Sequence, residues 1–125
     1  MLVLLVEDGE LARWGDPGIV ERGTEAGVQI VRRPMADGSA PRTPAEMDEL
    51  LALIREARRS LDVAVACMGG VGRTGTVAAC AMVAAGSSAE AAIARVRAVR
   101  HPSAVETGEQ IGFVHHYERH VAEDR

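Results

Sequence analysis

A cysteine and an arginine stand six positions apart in the segment Cys67-Met68-Gly69-Gly70-Val71-Gly72-Arg73-Thr74, with three glycines between them. Glycines let a backbone curl so that successive amide N–H groups point inward, and a helix that begins there presents its N-terminus to the same point. The planar guanidinium of Arg73 can hold two oxygens of a tetrahedral anion. The pattern therefore predicts a cup for a phosphate group, formed by Met68, Gly69, Gly70, Val71, Gly72 and Arg73.

The same cup would favour the thiolate of Cys67 over the thiol. Inward amide groups, a helix N-terminus and a neighbouring cation can lower a cysteine pKa from about 8.5 to roughly 3.5–7.5. A thiolate that faces phosphorus is a competent nucleophile. The hydroxyl of Thr74 is placed to donate a hydrogen bond to the sulfur when that sulfur becomes the leaving group. The loop is not a Walker-type nucleotide loop, which needs Gly-Lys before Ser or Thr.

Alternating strands and helices are predicted around this loop. Three apolar runs read as buried strands, Leu2–Val6, Val28–Val31 and Asp62–Ala66. Helices are expected in one or two short pieces over residues 8–27, and in longer segments over residues 43–60, 73–85, 87–100 and from 107 onward. Three capping boxes mark the longer helices: Thr43 with Glu46, Ser87 with Glu90, and Thr107 with Gln110. The order predicts an α/β fold with a mostly parallel central sheet and helices on both faces, in which ligands bind at the carboxyl ends of the strands.

Composition limits the classes of function. The 125 residues suit one domain spanning 1–125. A net charge of −4 and an aromatic content of 2% disfavour nucleic-acid binding. The apolar start, Met1–Val6, is too short for a signal peptide or a membrane span.

Two cysteines give no disulfide framework, so we expect a reducing, cytoplasmic setting, with Cys80 in the core. His116 and His120 are four apart on the last helix, but no third ligand is evident, so no metal site is predicted and both are assigned to a solvated face.

The Cys-x5-Arg-Thr loop resembles that of the protein tyrosine phosphatase superfamily, and is most similar to its small dual-specificity branch. Further segments along nearly the whole chain resemble the family: Leu5–Asp8 followed by Glu10-Leu11, Pro34–Gly38, and Ala104–Thr107 followed by Gln110. The resemblance implies a phosphatase-like three-layer architecture and hydrolysis of phosphate monoesters through a phosphocysteine, without metal or cofactor. The implied substrates are phosphotyrosine, with phosphoserine and phosphothreonine as further candidates, in a protein or as a small phosphate ester.

The resemblance also suggests roles for two residues and marks one departure. Asp37, on the loop after the second strand, corresponds to the general acid that protonates the leaving oxygen and then serves as base, although Asp before Gly38 is also common in plain turns. Gln110 resembles a glutamine that orients the attacking water, although glutamine at the third helical position is also a cap. Ala66 stands where the family usually has a histidine that organises the loop and the thiolate. We therefore expect a smaller lowering of the Cys67 pKa.

Two other functions remain open from the sequence. A rhodanese-type sulfurtransferase also uses a cysteine in an anion-cradling loop, but would not need Asp37. A phosphate-binding module without catalysis would retain the cup, and Ala66 is the feature that favours it. The sequence does not set the oligomeric state.

Overall fold

The sheet consists of three short parallel strands in the computed structural model, which describes residues 1–124. The strands are β1 (Leu2–Leu4), β2 (Ile30–Arg32) and β3 (Ala64–Ala66), in the spatial order β2-β1-β3. In the parallel register, Val3 lies opposite Val31 of β2 and opposite Val65 of β3. Val3 is fully buried in the central strand, which explains the continuous apolar run at this point of the sequence. The predicted parallel sheet is confirmed.

Each strand is shorter than its apolar run because the run continues past the paired residues. Leu5 and Val6 follow β1 and stay buried although they lie beyond the ladder. The backbone N–H of Leu5 still donates to the carbonyl oxygen of Ala66 at 2.9 Å, and the Leu5 carbonyl accepts from Met35 N–H at 2.9 Å. The buried extension therefore ties β1 to the end of β3 and to the loop after β2.

Six helices connect and cover the strands within residues 1–124. They are α1 (Asp8–Arg13), α2 (Ile19–Glu25), α3 (Pro44–Ala57), α4 (Gly72–Ala84), α5 (Ala89–Val99) and α6 (Gly108–Glu123). Two short helices are present over residues 8–27, where one or two were expected, and a glycine-containing turn separates them. None of these helices has the length and apolar character needed to cross a bilayer.

Two of the predicted capping boxes differ in detail from the structure. Ser88, not Ser87, caps α5, and its hydroxyl accepts from Ala91 N–H at 3.1 Å. Ser87 does not cap α5 because it belongs to the end of α4, where its own N–H donates to the Met82 carbonyl oxygen at 3.0 Å. At α3, Thr43 accepts from Glu46 N–H at 3.2 Å as predicted, but the Glu46 carboxylate accepts from the N–H of Arg42 instead of completing the box.

Helix α4 is central to the core and packs against α3, α5 and α6. Its inward face is formed by small and branched side chains, among them Val77, Ala79, Cys80 and Val83, which are buried. Cys80 is fully buried, as predicted, and this burial raises the pKa of its thiol to about 12. The helix that begins at the phosphate loop is therefore held rigidly by the core.

A polar contact joins α3 to α6. The hydroxyl of Tyr117 donates to one carboxylate oxygen of Asp48 at 2.6 Å, and Nε2 of His120 lies 2.6 Å from the other oxygen. The assignment of His120 to a solvated face was wrong. The sequence could not reveal this pairing because Asp48 is 72 positions away on a different helix.

Candidate active site

The predicted phosphate loop connects β3 to α4. Cys67 follows the last residue of β3, and Arg73 lies in the first turn of α4. Gly70 has φ = +68°, a left-handed conformation that side chains other than glycine rarely adopt. Nε of Arg100, at the end of α5, donates to the carbonyl oxygen of Gly70 at 3.0 Å. The loop is therefore curled by its glycines and held in that shape from outside by a second arginine.

The sulfur of Cys67 receives several stabilising contacts. Burial disfavours the thiolate, but the Thr74 hydroxyl stabilises it by donating to the sulfur at 3.0 Å. The backbone N–H groups of Thr74 and Gly70 and the positive charge of Arg73 stabilise the thiolate further. The net result is a lowered Cys67 pKa, although Ala66 stands in place of the usual histidine. Thr74 therefore contacts the sulfur from the start of α4.

Arg73 is 3% exposed, and two acceptors fix its guanidinium. Its two terminal nitrogens donate to the two carboxylate oxygens of Glu10 at 2.6 and 2.7 Å. Nη1 also donates to the carbonyl oxygen of Met35 at 2.9 Å. The hydrogen bond from Arg73 lowers the pKa of Glu10 against the opposing effect of burial, and the same pair raises the pKa of Arg73. Both groups are therefore charged at neutral pH.

Glu10 is the site residue that sequence reasoning missed, since it entered only as part of a segment that resembles the family. A usable signal was present. Glu10 follows β1 closely, and the carboxyl ends of parallel strands meet at one edge of a sheet. A carboxylate after β1 and an arginine after β3 are therefore candidates for contact, because these strands are direct neighbours.

Asp37 lies on an exposed stretch of the loop after β2, with 81% of its side chain exposed. Its Oδ1 atom is 3.5 Å from Nη2 of Arg73. The loop is attached on both sides of Asp37, through Met35 N–H to the Leu5 carbonyl at 2.9 Å and through the Thr107 hydroxyl to the Gly38 carbonyl at 2.6 Å. These attachments hold a solvent-accessible carboxyl group beside the guanidinium of Arg73.

Gln110 is fully buried at the start of α6. Its side-chain oxygen accepts from the N–H groups of Glu106 and Thr107 at 2.8 and 3.1 Å, and its side-chain nitrogen donates to the Ser39 carbonyl at 3.0 Å. The capping box predicted for Thr107 and Gln110 is confirmed. The amide also lies beside the predicted phosphate loop, because a Cβ added at Gly72 would come within 3.1 Å of it. Gln110 therefore joins α6 to the loop of Asp37 and to the loop of Cys67.

A strained segment packs against the start of α4. Val105 is fully buried and has φ = +58°, which is unusual for a β-branched residue. Arg97 of α5 donates to the carbonyl oxygens of Ala104 and Val105 at 2.9 and 3.0 Å. A Cβ at Gly75 would lie 3.0 Å from the backbone nitrogen of Val105. The glycine is needed because this segment approaches α4 so closely.

The predicted site residues are brought together as follows. Cys67, Thr74 and Arg73 share the loop and the first turn of α4, and Asp37 lies beside Arg73. Met68 and Gly69 are exposed at the loop, whereas Gly70, Val71 and Gly72 are half-buried. The arrangement brings together a thiol with a lowered pKa, a fixed guanidinium and a solvent-accessible carboxyl group, which is the set of groups that hydrolysis of a phosphate ester through a thiolate requires.

The described residues include one group with ligand atoms close enough for a metal ion. Asp48, His120 and Asp124 bring one potential ligand atom each within 4.8 Å of one another. The two Asp48 oxygens already bind Tyr117 and His120. The group lies on α3 and at the C-terminal end of α6, where Asp124 is the capping residue, and it contains none of the predicted site residues.

Comparison with known proteins places this geometry in a family. Residues 20–124 match the family described as "Swiss Army Knife protein, DSP-PTPase phosphatase domain". Cyclin-dependent kinase inhibitor 3 of Homo sapiens is 29% identical over 119 residues, a match that covers 91% of this chain and 55% of the relative. The protein of the same name from Rattus norvegicus gives the same figures. The chain thus spans just over half the length of these curated relatives.

Solved structures show the same fold. Kinase associated phosphatase, in a form with its catalytic-site cysteine replaced by serine, has a TM-score of 0.88 at 25% identity and covers 97% of this chain and 69% of its own. Tk-PTP in its active form has a TM-score of 0.82 at 35% identity, with coverages of 94% and 77%. The predicted three-layer α/β class is confirmed by this likeness. The chain belongs to the protein tyrosine phosphatase superfamily, in its small dual-specificity-like branch.

Proposed function

We propose that this chain hydrolyses phosphate monoesters through a phosphocysteine on Cys67, without a metal or cofactor. The observation that carries the proposal is the shared position of the Cys67 sulfur, the Thr74 hydroxyl at 3.0 Å and the buried Arg73 at the N-terminus of α4. Membership in a phosphatase superfamily supports the same chemistry.

In the first step the Cys67 thiolate attacks phosphorus and the bond from phosphorus to the ester oxygen breaks. Arg73 binds two non-bridging oxygens, and the inward amide groups of residues 68–73 share the developing charge. Asp37 donates its proton to the departing oxygen, so that the alcohol or phenol leaves neutral. The 3.5 Å between Asp37 and Arg73 supports this role, because it holds the carboxyl group next to the bound phosphoryl group.

In the second step water attacks the phosphocysteine. The Asp37 carboxylate accepts a proton from the water, the P–S bond breaks, and inorganic phosphate leaves. The Thr74 hydroxyl stabilises the departing thiolate through its hydrogen bond to the sulfur. For Gln110, the hydrogen bonds of the amide to backbone groups favour a positioning role over the orientation of water.

The substrate we propose is a phosphorylated protein or a small phosphate ester, with phosphotyrosine ahead of phosphoserine and phosphothreonine. The name of one neighbour, kinase associated phosphatase, supports a protein substrate. We also propose that residues 1–125 form one domain of this kind, since one hydrophobic cluster includes side chains from the sheet and from α3 to α6. The two free cysteines support a reducing, cytoplasmic setting.

A phosphate-binding module without catalysis is the second candidate, and Ala66 is the observation that favours it. Such a module would retain Arg73 and the cup but would not turn over. A rhodanese-type sulfurtransferase is disfavoured by the family match.

The deciding experiment is hydrolysis of para-nitrophenyl phosphate in the presence of a chelator. We expect turnover by the wild type and none by Cys67→Ser. Cys80→Ala is the matched control, because it removes the other cysteine from the core of α4 and leaves the cup intact. A folded wild type without turnover that still binds vanadate would establish the binding module instead. Turnover that persists in Cys67→Ser would refute the phosphocysteine.

A further inference from the structure

The loop that carries the candidate acid is attached to the first turn of α6. The Thr107 hydroxyl donates to the Gly38 carbonyl oxygen at 2.6 Å. One residue further along the loop, the Ser39 carbonyl accepts from the side-chain nitrogen of Gln110 at 3.0 Å, and the Ser39 hydroxyl donates to the Glu109 carboxylate at 2.7 Å. These hydrogen bonds join the two residues after the candidate acid to one helical turn, across 69 to 71 positions of sequence.

Thr107 contacts both the loop and its own helix with one hydroxyl group. The hydroxyl accepts from Gln110 N–H at 3.2 Å and so caps α6. A hydroxyl has one proton to donate, and here the Gly38 carbonyl receives it. The methyl group of Thr107 also lies against the loop, because a Cβ added at Gly38 would be 3.4 Å from it. The start of α6 and the acid loop therefore share one side chain.

The Asp37 side chain itself is held weakly. It is 81% exposed, and its Oδ1 atom lies 3.5 Å from Nη2 of Arg73, which is longer than a good hydrogen bond. An ion pair with one exposed partner fixes a side chain poorly. The position of the carboxyl group therefore depends on the backbone attachments on either side of it, at Met35 and at Gly38.

We infer that Thr107 is a positioning residue for the acid step. Its hydroxyl holds the Asp37 carboxyl group beside Arg73 before a substrate binds, so the loop does not have to close before the leaving oxygen is protonated. The inference rests on the proposed function of the Cys67 site. A general acid must lie within hydrogen-bond reach of the atom that it protonates, and a displacement of about 1 Å costs on the order of 10² in rate.

The kinetic test compares two esters whose leaving groups differ in their need for a proton. Para-nitrophenolate departs readily, whereas the phenolate of phenyl phosphate is more basic and depends on the acid. Thr107→Val retains the shape of the side chain and removes the hydroxyl. We expect it to lower kcat/KM about tenfold for phenyl phosphate, the effect of one lost hydrogen bond, and less than about threefold for para-nitrophenyl phosphate. Thr107→Ser retains the hydroxyl and should keep most of the wild-type activity on both esters.

Two further variants separate this effect from the loss of a helix cap. Thr43→Val removes the hydroxyl that caps α3 by accepting from Glu46 N–H, at the same 3.2 Å as in the α6 cap, and should leave the ratio of the two kcat/KM values unchanged. Thr107→Asp retains a good cap, so that α6 folds, but its carboxylate cannot donate to Gly38. It should show the same selective loss as Thr107→Val. Equal losses on both esters in these two Thr107 variants would overturn the inference.

A double variant tests whether Thr107 acts through Asp37. A positioning residue has little effect once the group that it positions has been removed. In the Asp37→Asn background, we expect Thr107→Val to change kcat/KM for phenyl phosphate by less than about twofold. A full further loss in that background would overturn the inference, because Thr107 would then act independently of the acid.

Hydrogen exchange tests the attachment without turnover. In Cys67→Ser, the amides of residues 34–40 should exchange faster when Thr107→Val is added, and Thr43→Val should not have this effect. Exchange in α4 should be the same in all of these variants, which excludes general unfolding. Unchanged exchange over residues 34–40 would overturn the inference whether or not the wild type hydrolyses an ester. A wild type without turnover would instead remove the proposed function itself.

Discussion

Arg73 donates to both carboxylate oxygens of Glu10, at 2.6 and 2.7 Å, across 63 positions of sequence. The side chains are 2% and 11% exposed, so the pair is almost entirely removed from water. The guanidinium of an arginine held in this way is already ordered before an oxyanion binds, so binding costs little conformational entropy of this side chain.

The first prediction concerns this pair. Glu10→Gln retains the shape of the side chain but replaces one acceptor by a donor that faces the guanidinium. We expect kcat/KM for para-nitrophenyl phosphate to fall at least about tenfold, and the free energy of unfolding to fall by up to about 3 kcal/mol, because a buried charge loses its partner. Both quantities are measured beside Glu25→Gln, an exposed carboxylate at the end of α2. Equal activity of the two variants would remove Glu10 from the positioning of Arg73.

The second prediction concerns Asp37. Asp37→Asn cannot supply a proton, so we expect kcat to fall by a factor of about 10² to 10⁴. The Ki of vanadate should change little, because the cup and Arg73 are intact. The loss should be smaller for esters whose leaving groups depart without protonation. A uniform loss across leaving groups of different acidity would argue against the acid role.

The third prediction separates the two cysteines by their reactivity. Burial opposes the Cys67 thiolate, but hydrogen bonds from Thr74 and Gly70 and the Arg73 charge outweigh it and lower the pKa of Cys67. Iodoacetamide should therefore modify Cys67 with a pH midpoint below that of free cysteine. Burial raises the pKa of Cys80 to about 12, so Cys80 should stay unmodified in the folded protein.

Mass spectrometry of the alkylated chain distinguishes these sites. One adduct is expected in the wild type, none in Cys67→Ser, and slower modification in the presence of phosphate. A midpoint at or above that of free cysteine would show that Ala66 leaves the thiolate without sufficient stabilisation.

The fourth prediction concerns stability against pH. The hydrogen bond to Asp48 raises the pKa of His120 above its ordinary value of 6.5, with the charges of Asp48, Asp124 and Glu123 in support and burial in opposition. Because the pKa of His120 is raised in the folded protein, its contact with Asp48 contributes fully to the free energy of unfolding below pH 6.5. The contribution is lost as the pH rises through the pKa of His120 in the folded protein. His120→Ala should therefore lower Tm more at pH 6 than at pH 9.

The contact between Asp48 and His120 also contributes stability that is lost at low pH. Burial raises the pKa of Asp48, but hydrogen bonds from Tyr117 and His120 outweigh burial and bring it below 3.8. The contribution of Asp48 to the free energy of unfolding is present above pH 3.8 and is lost as the pH falls through the pKa of Asp48 in the folded protein. His116→Ala is the control because His116 is exposed on the same helix. Equal pH dependence of the two variants would show that the contact with Asp48 contributes no pH-dependent stability.

The fifth prediction concerns Gln110. Since its amide joins the start of α6 to the Ser39 carbonyl, Gln110→Ala should lower Tm and slow both chemical steps together. Pre-steady-state kinetics decide between the roles. A burst of product followed by accumulated phosphoenzyme would instead assign Gln110 to the attacking water.

Much of the site could be predicted because it is contiguous in sequence. Cys67, Arg73 and Thr74 lie within eight positions, between an apolar strand and a helix, and their spacing carries the geometry. Glu10 could not be placed in the same way. The order of the strands makes it a candidate for contact with Arg73, but the pairing itself depends on how α1 approaches the carboxyl edge of the sheet, and that approach is fixed by packing between distant segments.

The helix ends show the same limit on a smaller scale. Two serines, Ser87 and Ser88, compete to cap α5, and local preference does not distinguish them. The end of α4 uses Ser87 through its hydrogen bond to Met82, which leaves Ser88 to the next helix. His120 was misplaced for a related reason, since its partner lies on α3.

The burial of Cys80 has a consequence for the redox chemistry of Cys67. Cys67 contacts Thr74 at the start of α4, and Cys80 lies six residues further along that helix, a rise of about 9 Å. The chain has two cysteines, and the second is fully buried in the core. A sulfenic acid formed on Cys67 by peroxide would therefore find no accessible second thiol within residues 1–124 with which to form a disulfide. Under the proposed mechanism, recovery of Cys67 would depend on external thiols, and further oxidation to the sulfinic acid would end turnover permanently.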